Sequence, residues 1–126
     1  MKLLAITFLI LLTLAPGRAT YQNANMTGAP QFTPFWTKFK AAVVSGDREA
    51  VASMTKLPFE YGLTRLARAD FVKSFNRIFP AIVRRCFART RPAKTDDGYM
   101  VTCHSMDYYF GLEGGEYKFL YMGPDD

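Results

Sequence analysis

The chain has 126 residues, of which 21% are charged and 15% aromatic, and its formal net charge at pH 7 is +5. That length supports one modest hydrophobic core and leaves no room for a second domain. One histidine and two cysteines exclude the multi-His and multi-Cys ligand sets of zinc sites. The carboxylates lack calcium-loop spacing, and Asp96-Asp97-Gly98 reads as a turn. No metal and no cofactor are expected.

In chain order, residues 1–19 read as a secretory signal peptide. Lys2 is followed by an apolar run from Leu3 to Leu12, then Pro16 and a small-x-small site at Gly17 and Ala19. The run is short for a bilayer span, so the predicted mature chain is secreted or periplasmic and carries no membrane segment. Losing Lys2 and Arg18 with the leader would lower the net charge by two. Residues 20–31 are polar and aperiodic and predict a flexible lead-in. Within them, Asn25-Met26-Thr27 matches the glycosylation triplet.

The single domain is predicted over residues 32–126. Phe32, Phe35, Trp36, Phe39, Ala42 and Val43 repeat at helical spacing, with Thr33 as the expected N-cap and Pro34 as the first helical residue. Ser45-Gly46-Asp47 ends this helix and caps a short second one that carries Ala50, Val51 and Met54. Leu57 precedes Pro58 and is pushed to an extended conformation, so a strand is predicted over Leu57 to Tyr61. Residues 62–69 read as a connection.

Phe71, Phe75, Ile78, Phe79, Ile82, Val83 and Cys86 then share one helical face, with a break expected at Phe79-Pro80. Arg84, Arg85, Arg89, Arg91 and Lys94 cluster near its end. They read as a solvated helix terminus, and nucleic-acid binding is not expected. Pro92 limits residues 89–94 to an edge strand or loop. In an exported chain, Cys86 and Cys103 predict a disulfide.

The last third predicts the sheet. Tyr99, Val101 and Cys103 are apolar on odd positions, whereas Met106, Tyr108, Phe110 and Leu112 are apolar on even ones. One regular strand cannot face both sets inward, so a bulge or turn is expected at His104-Ser105. Gly114-Gly115 predicts a two-residue hairpin turn pairing Leu112 with Tyr117, Phe110 with Phe119 and Tyr108 with Tyr121. That register leaves Tyr109, Leu120 and Met122 on the outer face, a surface suited to a partner or a homodimer.

The motif F-x-x-F-W-x-x-F-x-x-A-V at Phe32 to Val43, with Gly46-Asp47, V-A-x-M-T at Val51 to Thr55 and L-P-F at Leu57 to Phe59, resembles small exported bacterial proteins of the NTF2-like (cystatin-like) superfamily. The run Phe71 to Phe79 and the closing Y-Y-F…G-G-E-Y-K-F are similar as well. The resemblance implies an α+β fold with N-terminal helices packed on a curved antiparallel sheet, a cone that holds a ligand, a catalytic site or its own side chains. It carries over no catalytic motif.

Candidates for chemistry are few. His104 and Asp107 flank the phase change and form the one acid/base pairing to consider, with Tyr61, Tyr108 and Asp70 as further polar groups. Tyr61, His104 and Tyr108 would serve a ligand in an apolar cone lined by the aromatic residues. The expectation is an exported binding or protein-interaction domain without catalytic activity, taking a small apolar ligand or a protein partner. Two alternatives stand beside it: a cone-site isomerase, dehydratase or hydrolase using His104 and Asp107, and an inhibitor or immunity-type protein.

Overall fold

The structure is a computed structural model and describes residues 30–125. The expected signal peptide, the Asn25 triplet and the lead-in up to residue 29 lie outside the described residues. Helices α1 (Phe32–Ser45) and α2 (Arg48–Ser53) lead into strands β1 (Phe59–Tyr61) and β2 (Thr64–Leu66). Helices α3 (Arg68–Lys73), α4 (Phe75–Ile78) and α5 (Ala81–Phe87) follow, then strands β3 (Ala93–Lys94), β4 (Tyr99–Cys103), β5 (Met106–Glu113) and β6 (Glu116–Pro124). The fold is α+β: helices pack on an open antiparallel sheet of order β3-β4-β5-β6, and β1 and β2 form a separate hairpin.

Helix α1 buries Phe32, Phe39, Ala42 and Val43, with Phe35 and Trp36 packed against the same core. Its start differs from the expectation. Gln31 holds the cap position, and Thr33 and Pro34 lie inside the first turn. The Phe32 ring stacks on Tyr99 at a centroid separation of 3.7 Å, which draws Phe32 into the helix. Pro34 is tolerated there because the first four helical N–H groups have no intrahelical acceptor. Gly46 closes the helix at φ 74°, left-handed as expected of a C-cap. Asp47 then accepts a hydrogen bond from Ala50 N at 3.2 Å and caps α2.

After α2 the chain runs beside β6: Lys56 N donates to Phe119 O at 2.9 Å and Phe119 N to Met54 O at 2.8 Å. This contact covers the middle of an otherwise open sheet edge. The expected strand begins at Phe59 rather than Leu57, since Pro58 has no N–H to give a ladder. Residues 62–69 are more than a connection, because β2 pairs with β1 through Phe59↔Leu66, Glu60↔Arg65 and Tyr61↔Thr64.

The helical run through Phe71 to Cys86 is divided into three pieces, not two, with a break at Ser74 besides the expected one at Phe79-Pro80. Restarting at Pro80 turns the helix so that Val83 and Phe87, four apart, face inward and Ile82 is 44% exposed. Ile82 therefore leaves the core expected of it. The break also stops the backbone ladder at Ile78, and its carbonyl takes a hydrogen bond from the Tyr108 hydroxyl at 2.8 Å.

In the sheet, His104 and Ser105 form a two-residue turn with φ of 50° and 61°, the double left-handed geometry of a type I′ hairpin. The turn resolves the phase change, because β4 and β5 are separate strands paired Val101↔Tyr108 and Cys103↔Met106. Across the Gly114-Gly115 turn, Leu112↔Tyr117 and Phe110↔Phe119 pair as expected, but Tyr108 faces Met122 and Tyr109 faces Tyr121. Leu120 is the extra residue of a bulge, which flips every later side chain on β6. Met122 accordingly packs on the core, and Tyr121 stacks on Tyr109 at 4.5 Å on the other face. A Cβ at Gly98 would lie 2.1 Å from Phe110 O, so the approach of β4 to β5 requires glycine there. The Cys86–Cys103 disulfide joins α5 to β4 with Cα atoms 5.9 Å apart.

Candidate functional site: the outer face of α1 and α5

The space between helices and sheet is filled with rings. Phe39, Phe59, Phe75, Phe79, Phe87 and Phe119 are fully buried. Phe119 alone has the rings of Phe39, Phe59, Phe79, Tyr108 and Phe110 at 4.9 to 5.9 Å. Tyr108, expected to meet a ligand, is buried in this stack with its hydroxyl engaged by Ile78. Burial first, and the neighbouring Tyr61 hydroxyl second, push its phenol well above the usual tyrosine range. Tyr61 is half-buried on β1 against the same core. Among the described residues, no buried side-chain nitrogen or oxygen lacks a hydrogen-bond partner.

Among the described residues no hydrogen bond or ion pair joins His104 to Asp107. His104 is exposed at the tip of the β4–β5 turn and borders a depression beside α5. Asp107 lies between the core residues Met106 and Tyr108 and therefore on the opposite face of β5. Its carboxylate accepts hydrogen bonds from the Thr102 hydroxyl and, at 3.4 Å, from the Tyr109 hydroxyl. Asp70 is exposed in the first turn of α3. No metal-ligand cluster of three or more His, Cys, Asp or Glu occurs among the described residues.

Three shallow depressions run together along α1 and α5. The first, about 280 Å³, is lined by Trp36, Thr37, Lys40, Ala41, Val44 and Ala88. The second, about 310 Å³, shares Val44 and Ala88 and adds Ala81, Arg84 and Arg85. The third, about 410 Å³, shares Arg85 and Ala88 and adds Ile82, Cys86, Arg89 and His104. Ala88 belongs to all three, so they form one continuous surface with apolar patches between cations. Val44 and Ile82 are each 44% exposed on it.

The local sequence explains its charge. Residues 30–46 contain Lys38 and Lys40 and no carboxylate, and residues 71–95 contain Lys73, Arg77, Arg84, Arg85, Arg89, Arg91 and Lys94 and again no carboxylate. The ion pairs among the described residues are Lys56–Glu113, Arg65–Glu60 and Arg68–Glu49, all on other parts of the molecule. The cations on α1 and α5 are thus unpaired among the described residues. Arg84 lies over the C-terminus of α1, 3.2 Å from a Cβ built on Gly46, where the helix dipole favours positive charge.

The basic cluster was visible in the sequence, but its union with Trp36, Lys40, Ala41 and Val44 was not. The signal that finds it is the absence of Asp and Glu from both segments that form the face. No helix of the described residues is long and apolar enough to cross a membrane, and the disulfide suits an oxidising compartment. No protein-family model, curated protein or solved structure matches the chain.

Proposed function

We propose that this protein is an exported domain of NTF2-like architecture that binds a partner through its outer surface and performs no catalysis. The observation that carries the reading is the filled interior: the rings expected to line a ligand cone pack against one another, and Tyr108 spends its hydroxyl on Ile78. A cone occupied by its own side chains leaves recognition to the exterior. That no hydrogen bond or ion pair joins His104 to Asp107 among the described residues is in keeping with the same reading, since acid/base work is done by groups that act together on one substrate. Export to the periplasm or beyond is supported by the leader-like residues 1–19 and by the disulfide.

Site-specific photo-crosslinking in cells of the source organism tests this function. A benzoyl-phenylalanine placed at Val44, on the α1 and α5 face, is expected to give a discrete cross-linked product. The same group at Leu63, fully exposed on the β1–β2 turn, is expected to give none. A substrate turned over by the purified protein and lost in His104→Ala or Asp107→Ala would overturn the proposal.

A further inference from the structure

Resting on that reading, we infer that the continuous face of α1 and α5 is a docking groove for an acidic, amphipathic segment of a partner protein. Charge complementarity identifies the occupant. Lys40, Arg84, Arg85 and Arg89 border the three joined depressions, and no carboxylate among the described residues pairs with them. Exposed guanidinium groups present forked donors that match carboxylates two at a time. Between them, Trp36, Ala41, Val44 and Ala88 offer apolar surface in a depression rather than on a projecting tip. That shape receives the apolar side of a helix laid between two others, with its acidic side reaching the cationic borders.

Other occupants fit less well. The residues before Pro30 contain no Asp or Glu, so the chain's own N-terminal segment cannot supply the complementary charge. A second copy brings a net charge of +5, or +3 without residues 1–19, against the same sign. A flat anionic membrane would meet the arginines but offers no ridge shaped to lie along the depressions that hold Trp36 and Ala41.

The test uses the purified, disulfide-bonded protein and three probes. One is a synthetic helical peptide with leucine on one face and glutamate elsewhere; another is the same peptide with lysine for glutamate; the third is a phosphatidylglycerol vesicle. Trp36 is the chain's one tryptophan and lines the groove, so its emission reports binding directly. The expected result is a shifted Trp36 emission with the glutamate peptide alone, weakening as salt rises. Arg85→Glu combined with Arg89→Glu should reduce affinity at least tenfold while leaving the thermal transition in place. Val44→Asp on the apolar side should do the same, which separates groove docking from charge attraction alone. Equal binding of both peptides, tighter binding to vesicles, self-association that blocks the groove, or no response to the glutamate peptide would each overturn the inference. A cross-link from Val44 in cells together with no response to the peptide would remove this partner class and keep the broader function.

Discussion

Replacing Tyr108 with phenylalanine separates a structural tyrosine from a ligand-binding one. The helix break at Phe79-Pro80 leaves the Ile78 carbonyl without a helical donor, and the Tyr108 hydroxyl fills that place at 2.8 Å in a site that is 1% exposed. Tyr108→Phe keeps the ring contacts with Phe79, Phe87 and Phe119 and strands the carbonyl. An unsatisfied buried acceptor costs about 1–3 kcal/mol, which for a domain of this size lowers the midpoint of thermal unfolding by roughly 4–24 °C. Urea and thermal unfolding of the two proteins at neutral pH measure it. The folded phenol titrates above the unfolded value of about 10. Its contribution to stability is therefore complete below that pH and is lost as pH rises toward the folded value, at up to about 1.4 kcal/mol per pH unit. Wild type should lose more stability than Tyr108→Phe above about pH 10, so the two curves converge. Equal stability at neutral pH, or parallel loss in alkali, would refute the reasoning and return the hydroxyl to the ligand-binding role.

Four further substitutions probe the frame. Breaking the disulfide through Cys86→Ser should cost about 3 kcal/mol, given the 17-residue separation of the pair; urea unfolding of Cys103→Ala should give a similar loss, and a much smaller one would show that the pair is not formed. Ser105→Gly relieves a left-handed residue in the β4–β5 turn at φ 61° and should stabilise the fold by about 0.5–1 kcal/mol, whereas a loss of stability would mean that the turn is of another type. Gly98→Ala places a methyl 2.1 Å from Phe110 O and should cost about 1–3 kcal/mol or more, read from the thermal midpoint.

Periodicity made α1 and α2 legible, and the phase change and the Gly-Gly pair marked the β4–β5 and β5–β6 turns, whereas the β1–β2 hairpin and the break at Ser74 left no such signal. Phe39, Ala42 and Val43 sit inward at the spacing that predicted them, and Gly114-Gly115 turns where its residue types demand. The shift at Leu120 was hidden by Phe119-Leu120-Tyr121-Met122, four apolar residues in a row that fit either face. Only pairing with β5, which puts Met122 opposite Tyr108, decides among them. Ile82 failed for a related reason. A proline restart changes the phase of a helix by an amount that spacing does not encode, so Phe87 took the inward place. The candidate groove was legible as charge in one segment and as a helix in another, and its assembly from α1 and α5 is a tertiary fact. His104 and Asp107, three apart in sequence, fall on the β4–β5 turn and on β5.

Recognition of a partner on the outside of α1 and α5, with the interior closed, makes two statements about where a ligand touches the protein. A nitrogen-15 NMR titration with the glutamate and leucine peptide tests both halves at once. Amide shifts are expected at Thr37, Lys40, Ala41, Val44, Arg84, Arg85, Ala88, Arg89 and the His104 turn, with none in the interior. Shifts concentrated instead at Tyr61, Tyr108 and the interior face of the sheet, with none on α1 and α5, would contradict it.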